Sequence, residues 1–124
     1  MKIVEALSFL ELYLKIREQN LPLKTAYKLN KLARRLESEQ TFYQENLRKI
    51  LSQYAEKDEN SEIKFDEAGN IILIRETIQE CNKELAELQN LTIEDVGVEF
   101  TLDELGGLEI SPMELSCLFS LITE

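Results

Sequence analysis

The sequence predicts an α+β, mostly helical fold, and three observations carry that expectation. Apolar residues recur at helical spacing from about Leu23 to Ala55 with no Gly or Pro among them. A turn sequence, "DEAG", sits between the apolar runs "EIKF" and "NIILI", as in a β-hairpin. The 124 residues, 44% of them hydrophobic, suffice for one core but not for two. Residues 1–124 are therefore read as a single domain, helical over about 3–55 and 77–91. A small β element is expected from about 62–74 and 96–102. The expected order is N-terminal helix, long helix, β-hairpin, helix, strand and short C-terminal helix.

The first helix is expected over residues 3–19, where Ile3, Leu7, Leu10 and Leu14 keep heptad spacing and Phe9, Tyr13 and Ile16 widen the stripe. A short strand at its first residues is left open. Pro22 ends it, because proline disfavours the helical conformation at Leu21. The long helix follows. Relative to Leu29, its apolar positions Leu32, Ala33, Leu36, Tyr43, Leu47, Ile50, Leu51 and Tyr54 are offset by 3, 4, 7, 14, 18, 21, 22 and 25, and only Gln40 breaks the series. At about 1.5 Å per residue it would run roughly 45–50 Å, so it must pack along its length or project.

The stretch "EKDENSEIKFDEAGN", residues 56–70, holds six acids and invites comparison with a calcium loop. Asp58, Asn60, Glu62 and Asp66 would fill ligand positions 1, 3, 5 and 9. The turn glycine at position 6 is Ile63, however, and the bidentate Glu at position 12 is Gly69. The stretch is read as an acidic turn and no metal is expected. Beyond it, Thr77 and Glu80 form a capping-box pattern for a helix with Ile78, Cys81, Leu85 and Leu88 on one seam. Val96, Val98, Phe100 and Leu102 alternate with Gly97, Glu99 and Thr101, which reads as a strand. Gly106-Gly107 turns the chain, and "SPME", with Ser111 as N-cap and Pro112 at the first helical position, opens a final helix carrying Leu115, Leu118, Phe119 and Ile122. No internal repeat or low-complexity segment is evident.

Charge is unevenly distributed. Residues 1–54 carry 10 Lys/Arg against 6 Asp/Glu, a balance of +4, and residues 55–124 carry 4 against 18, a balance of −14. Such a chain either closes on itself electrostatically or shows a partner an acidic face. Asp58, Glu59, Glu62, Asp66, Glu67, Glu94, Asp95, Asp103 and Glu104 are the candidates for that face. Lys24, Lys28, Lys31 and Arg35 form a basic stripe at spacings of 4, 3 and 4. It reads as a phosphate-tracking surface or, more simply, as a helix face paired with the acidic half of the same chain. Direct nucleic-acid binding is not expected of so acidic a protein.

Catalysis has little to work with. The sequence has no histidine, which removes the commonest general base, the triads built on it and most zinc sites. No P-loop is present, and the adjacent acids Asp103/Glu104 and Glu94/Asp95 are weak evidence in a chain with 24 acids. Cys81 and Cys117 are isolated and read as reduced core residues. No catalytic residue, cofactor or metal is expected. Without a membrane-length apolar run or a signal-peptide pattern, the expected location is the cytoplasm.

The order "LPLKTAYKLNKLARRLESE", "ILSQYAEKDEN", "AGNI", "CNKELAELQNLTIED" and "LDELGGLEISPMELSCLFSLI" resembles a family of small uncharacterised proteins encoded by phages and prophages of Gram-positive bacteria. The likeness covers roughly residues 20–124 and is most specific in the tail. It implies a phage origin and a host-cell cytoplasm, and it brings no catalytic motif. The helix–hairpin–helix order is similar to prefoldin in outline, by analogy alone. The expected function is that of a non-enzymatic, acidic protein–protein interaction module, binding a host or phage protein or self-associating through helices. The alternative is an acidic, nucleic-acid-mimicking inhibitor of a host nucleic-acid-handling or defence enzyme.

Overall fold

A computed structural model describes residues 1–123. The fold is α+β and mostly helical, with 61% helix and a small two-stranded sheet among the described residues. Its helices are α1 (Ile3–Ile16), α2 (Leu23–Tyr54), α3 (Ile78–Gln89), α4 (Leu102–Leu105) and α5 (Pro112–Leu115); its strands are β1 (Phe100–Thr101) and β2 (Ile122–Thr123). The chain divides into two compact units. One comprises Met1–Thr41 with the segment from Leu91 onward, and the other is Phe42–Asn90.

The first unit contains most of the fully buried side chains. Ile3, Ala6, Phe9, Leu12 and Ile16 of α1 are buried, together with Leu29, Leu32, Ala33 and Leu36 of α2. Phe100, Leu105, Cys117, Leu118 and Leu121 are buried in the same unit. The buried face of α1 is not the expected heptad: Leu14 is 60% exposed and Leu7 and Leu10 are half-buried. Helix α1 packs on α5 and on the 3₁₀ turn Ser116–Leu121 that follows it. At its start the chain makes one antiparallel bridge, Lys2 with Thr92, closed by Ile3 N–H to Leu91 O at 2.9 Å and Ile93 N–H to Met1 O at 2.7 Å.

Two one-turn helices in this unit are too short to form unaided, since helix nucleation is unfavourable. Each is held by a capping box. Thr101 Oγ1 accepts from Glu104 N–H at 3.2 Å while Glu104 Oε1 accepts from Thr101 N–H at 3.1 Å. Ser111 and Glu114 do the same at 3.1 and 3.0 Å, with Pro112 at the first helical position as expected. Both capping glutamates also take a lysine from a long helix: Lys28 of α2 reaches Glu104, and Lys15 of α1 reaches Glu114 at 3.2 Å. The predicted strand at 96–102 shrinks to Phe100–Thr101, paired in parallel with Ile122–Thr123. Positive φ at Asp95 (51°) and Gly97 (78°) takes the preceding residues out of the β region. The predicted C-terminal helix is likewise shorter, because the chain tightens into the 3₁₀ turn after Leu115.

In the second unit the predicted hairpin is a meander of single bridges rather than two strands. Ala55 pairs with Leu73, Lys57 with Ile63, and Phe65 with Ile71. Three residues spaced eight apart close a ring of hydrogen bonds. Glu56 N–H donates to Ile72 O (2.7 Å), Ile72 N–H to Lys64 O (3.1 Å), and Lys64 N–H to Glu56 O (2.9 Å). The ring uses both backbone groups of each residue, so each pairing ends after a single bridge. Helix α3 follows the 3₁₀ turn Arg75–Thr77. The expected capping box there does not form, because the Thr77 hydroxyl donates to Ile74 O at 2.9 Å. Of the expected α3 seam, Cys81 and Leu88 are buried, Leu85 is half-buried and Ile78 is exposed.

Candidate interaction surfaces

Five of the nine candidate acids lie on the meander, and its two turns share one construction. Asp58 Oδ1 accepts from Asn60 N–H at 2.8 Å and Glu62 N–H at 3.1 Å. Eight residues on, Asp66 Oδ1 accepts from Ala68 and Asn70 N–H, both at 2.9 Å. Each turn then needs a residue at positive φ three positions after its aspartate, Ser61 (63°) in the first and Gly69 (84°) in the second. These are Asx turns, in which a side-chain carboxylate satisfies backbone donors. Asp58 and Asp66 are thus occupied with shaping the chain, which leaves Glu59, Glu62 and Glu67 exposed on the turns. Between the turns Phe65 stands 60% exposed.

Phe65 was not singled out by the sequence, which placed it in "EIKF", one flank of the expected hairpin. The signal that could have found it is the spacing of Asp-x-x-Ser and Asp-x-x-Gly at 58–61 and 66–69, which brackets it between two tight turns.

The other four candidate acids belong to the first unit and serve different ends. Glu94 offers its carbonyl to Arg35 Nη2 at 3.4 Å, and Asp95 holds a left-handed backbone. Asp103 is exposed in the first turn of α4, where a negative charge suits the helix N-terminus. Glu104 is committed inside the unit: its Oε2 lies 2.8 Å from Lys28 Nζ, and the Lys28 bond first, then the Thr101 N–H, lower its pKa from 4.5 to about 2. The Glu114 carboxyl is lowered too, first by the Ser111 N–H and then by Lys15.

The basic stripe divides in the same way. Lys28 is bonded to Glu104 and to Glu99 O, and its Nζ sits 5.8 Å from the centre of the Phe100 ring. Arg35 pairs with Glu39 one turn along its own helix at 3.0 Å. Lys24 and Lys31 enter no ion pair among the described residues. With Lys28, Tyr27, Ile93 and residues 95–99 they line an open groove of about 850 Å³.

Neither cysteine is set up for chemistry. Cys81 is fully buried and burial raises its pKa; burial pushes the Cys117 thiol up to about 11, and its Sγ lies 3.1 Å from Glu114 O. Both thiols are free. Among the described residues no group of three or more Cys, Asp or Glu side chains is placed to hold a metal ion. No helix there is long and apolar enough to cross a membrane.

No protein-family model matches the chain, and none of the curated proteins or solved structures matches it either.

Proposed function

We propose that the protein is a non-enzymatic interaction module whose meander offers Phe65, with exposed acids on the turns before and after it, to a basic protein surface with an apolar socket. The observation that carries this reading is the exposure of Phe65 between two turns locked by Asp58 and Asp66. An exposed aromatic on a pre-ordered backbone loses little conformational freedom on binding, so most of its burial counts toward affinity. Glu59, Glu62 and Glu67, exposed on the flanking turns, would steer a basic partner and reject acidic ones. The resemblance of the tail to phage and prophage proteins supports a bacterial host protein as the partner and the host cytoplasm as the place.

Affinity capture with the immobilised full chain from a lysate of the source organism tests this. A partner retained by the wild type should be lost with Phe65→Ala and, separately, with Glu59→Lys combined with Glu67→Lys, while circular dichroism stays unchanged. Identical sets of retained proteins for wild type and both variants would refute the reading.

A further inference from the structure

Helix α2 contributes to both units, and its apolar seam fares differently in each. In the first unit Leu29, Leu32, Ala33 and Leu36 are buried. In the second the seam continues at the same helical spacing through Tyr43, Leu47, Ile50 and Leu51, yet all four are half-buried and only Tyr54 is covered. Helix α3 stands beside that end of α2: Glu84, Glu80 and Cys81 lie near the Tyr54 hydroxyl, whose pKa is raised by burial first and by Glu84 next. On α3 itself Leu85 is half-buried and Ile78 is 37% exposed. Neither helix finishes the apolar face of the other.

A unit this small needs a staple or a neighbour to keep its core dry. Both cysteines are free, so no disulfide supplies one. The polar groups beside the seam indicate what does. Glu84 Oε2 is buried without a hydrogen-bond donor, although a buried carboxylate oxygen is costly to leave unpaired. Arg48, next to Leu47 at the edge of the seam, is exposed and enters no ion pair among the described residues. The face thus carries an acid without a cation and a cation without an acid. A two-fold contact between identical faces satisfies both at once, because each copy offers the group that the other lacks. An unrelated amphipathic helix would have to supply both charges at the same spacing.

We propose that the α2–α3 face of the second unit binds a second copy of this chain, two helices from each copy forming a four-helix bundle. Tyr43, Leu47, Ile50, Leu51 and Leu85 of each copy cover those of the other, and Arg48 of each reaches Glu84 of the other. The association is separate from the reading of Phe65, which stands on the meander and not on these helices.

Sedimentation equilibrium of the full chain across the micromolar range tests this and should show twice the monomer mass. Amide exchange at Leu47–Leu51 should slow as the protein concentration is raised. Arg48→Met and Glu84→Gln should each weaken association at least about tenfold, the loss expected when a charge-assisted contact is removed, with circular dichroism unchanged. Combined, they should weaken it little more than either alone, because the first change has already deprived the second residue of its partner. The proposal fails if the chain stays monomeric throughout or if Arg48→Met leaves association as tight as before. It fails also if the two losses simply add, or if Phe65→Ala abolishes the dimer.

Discussion

Glu104 is the residue that does most in this structure, closing the α4 capping box while neutralising Lys28. Its folded pKa is depressed, so the stability it contributes is present above the usual carboxylate pKa of 4.5 and is lost as pH falls toward about 2. A carboxyl-detected NMR titration should find Glu104 still ionised well below the ordinary carboxylate value of 4.5, and Lys28→Met should move its midpoint up toward 4.5. A wild-type midpoint already near 4.5 would show that the pair does not hold in solution. The sequence allowed Lys28 to be placed on a basic face but not to be matched with Glu104, 76 positions away. Nothing local couples those positions. The turn at 66–69 was legible for the opposite reason: Gly69 stands where positive φ is needed, and glycine takes it without a Cβ clash. The twin turn at 58–61 was hidden because Ser61 fills the same role.

Among the elements, α2 was the most legible, since its apolar period runs over many turns with a lapse only at Gln40 and its bounds follow from Pro22 and the acidic turn. Helix α1 was legible as a helix but not in its orientation. Apolar residues surround most of its circumference, so the period admits several faces, and packing on α5 and the 3₁₀ turn selects Ile3, Ala6, Phe9, Leu12 and Ile16. The difference is measurable in urea melts. Leu36→Ala, at a fully buried position, should cost about 2–5 kcal/mol, whereas Leu14→Ala should stay within about 0.5 kcal/mol. Leu85, half-buried on α3, should cost less than Leu36. Equal losses at Leu14 and Leu36 would mean that the heptad face is the buried one after all.

At the scale of the whole molecule, the two units differ in how well they exclude water. In Phe42–Asn90 the buried apolar side chains are Tyr54, Ala55, Cys81 and Leu88, while Leu47, Ile50, Leu51 and Ile71 to Ile74 are half-buried. Such a unit has less apolar burial to oppose local opening. Native-state hydrogen exchange should therefore find the amides of Leu47–Leu51 less protected than those of Leu32–Leu36, although both stretches belong to one helix. Equal protection would show that α2 opens only as a whole. The charge imbalance is also resolved at this scale, and not as a simple closure of the basic half on the acidic one. Lys28 and Lys15 do reach acids beyond residue 90, but Glu59, Glu62 and Glu67 enter no ion pair among the described residues.

Sequence alone determined the fold class, the extent of α2, the Ser111 cap and the lack of any histidine. Each depends on residues within a turn or two of one another, or on composition. Tertiary structure decided which face of α1 is buried, that the region before β1 loses its strand, and which charges are spent internally. Those outcomes depend on contacts between segments tens of residues apart, where many arrangements satisfy the same local preferences. The exposed position of Phe65 comes from that second level. Phe65 is exposed between two turns that a ring of backbone bonds through Glu56, Lys64 and Ile72 holds in place, and the segment before β1 leaves the sheet because Asp95 and Gly97 adopt positive φ.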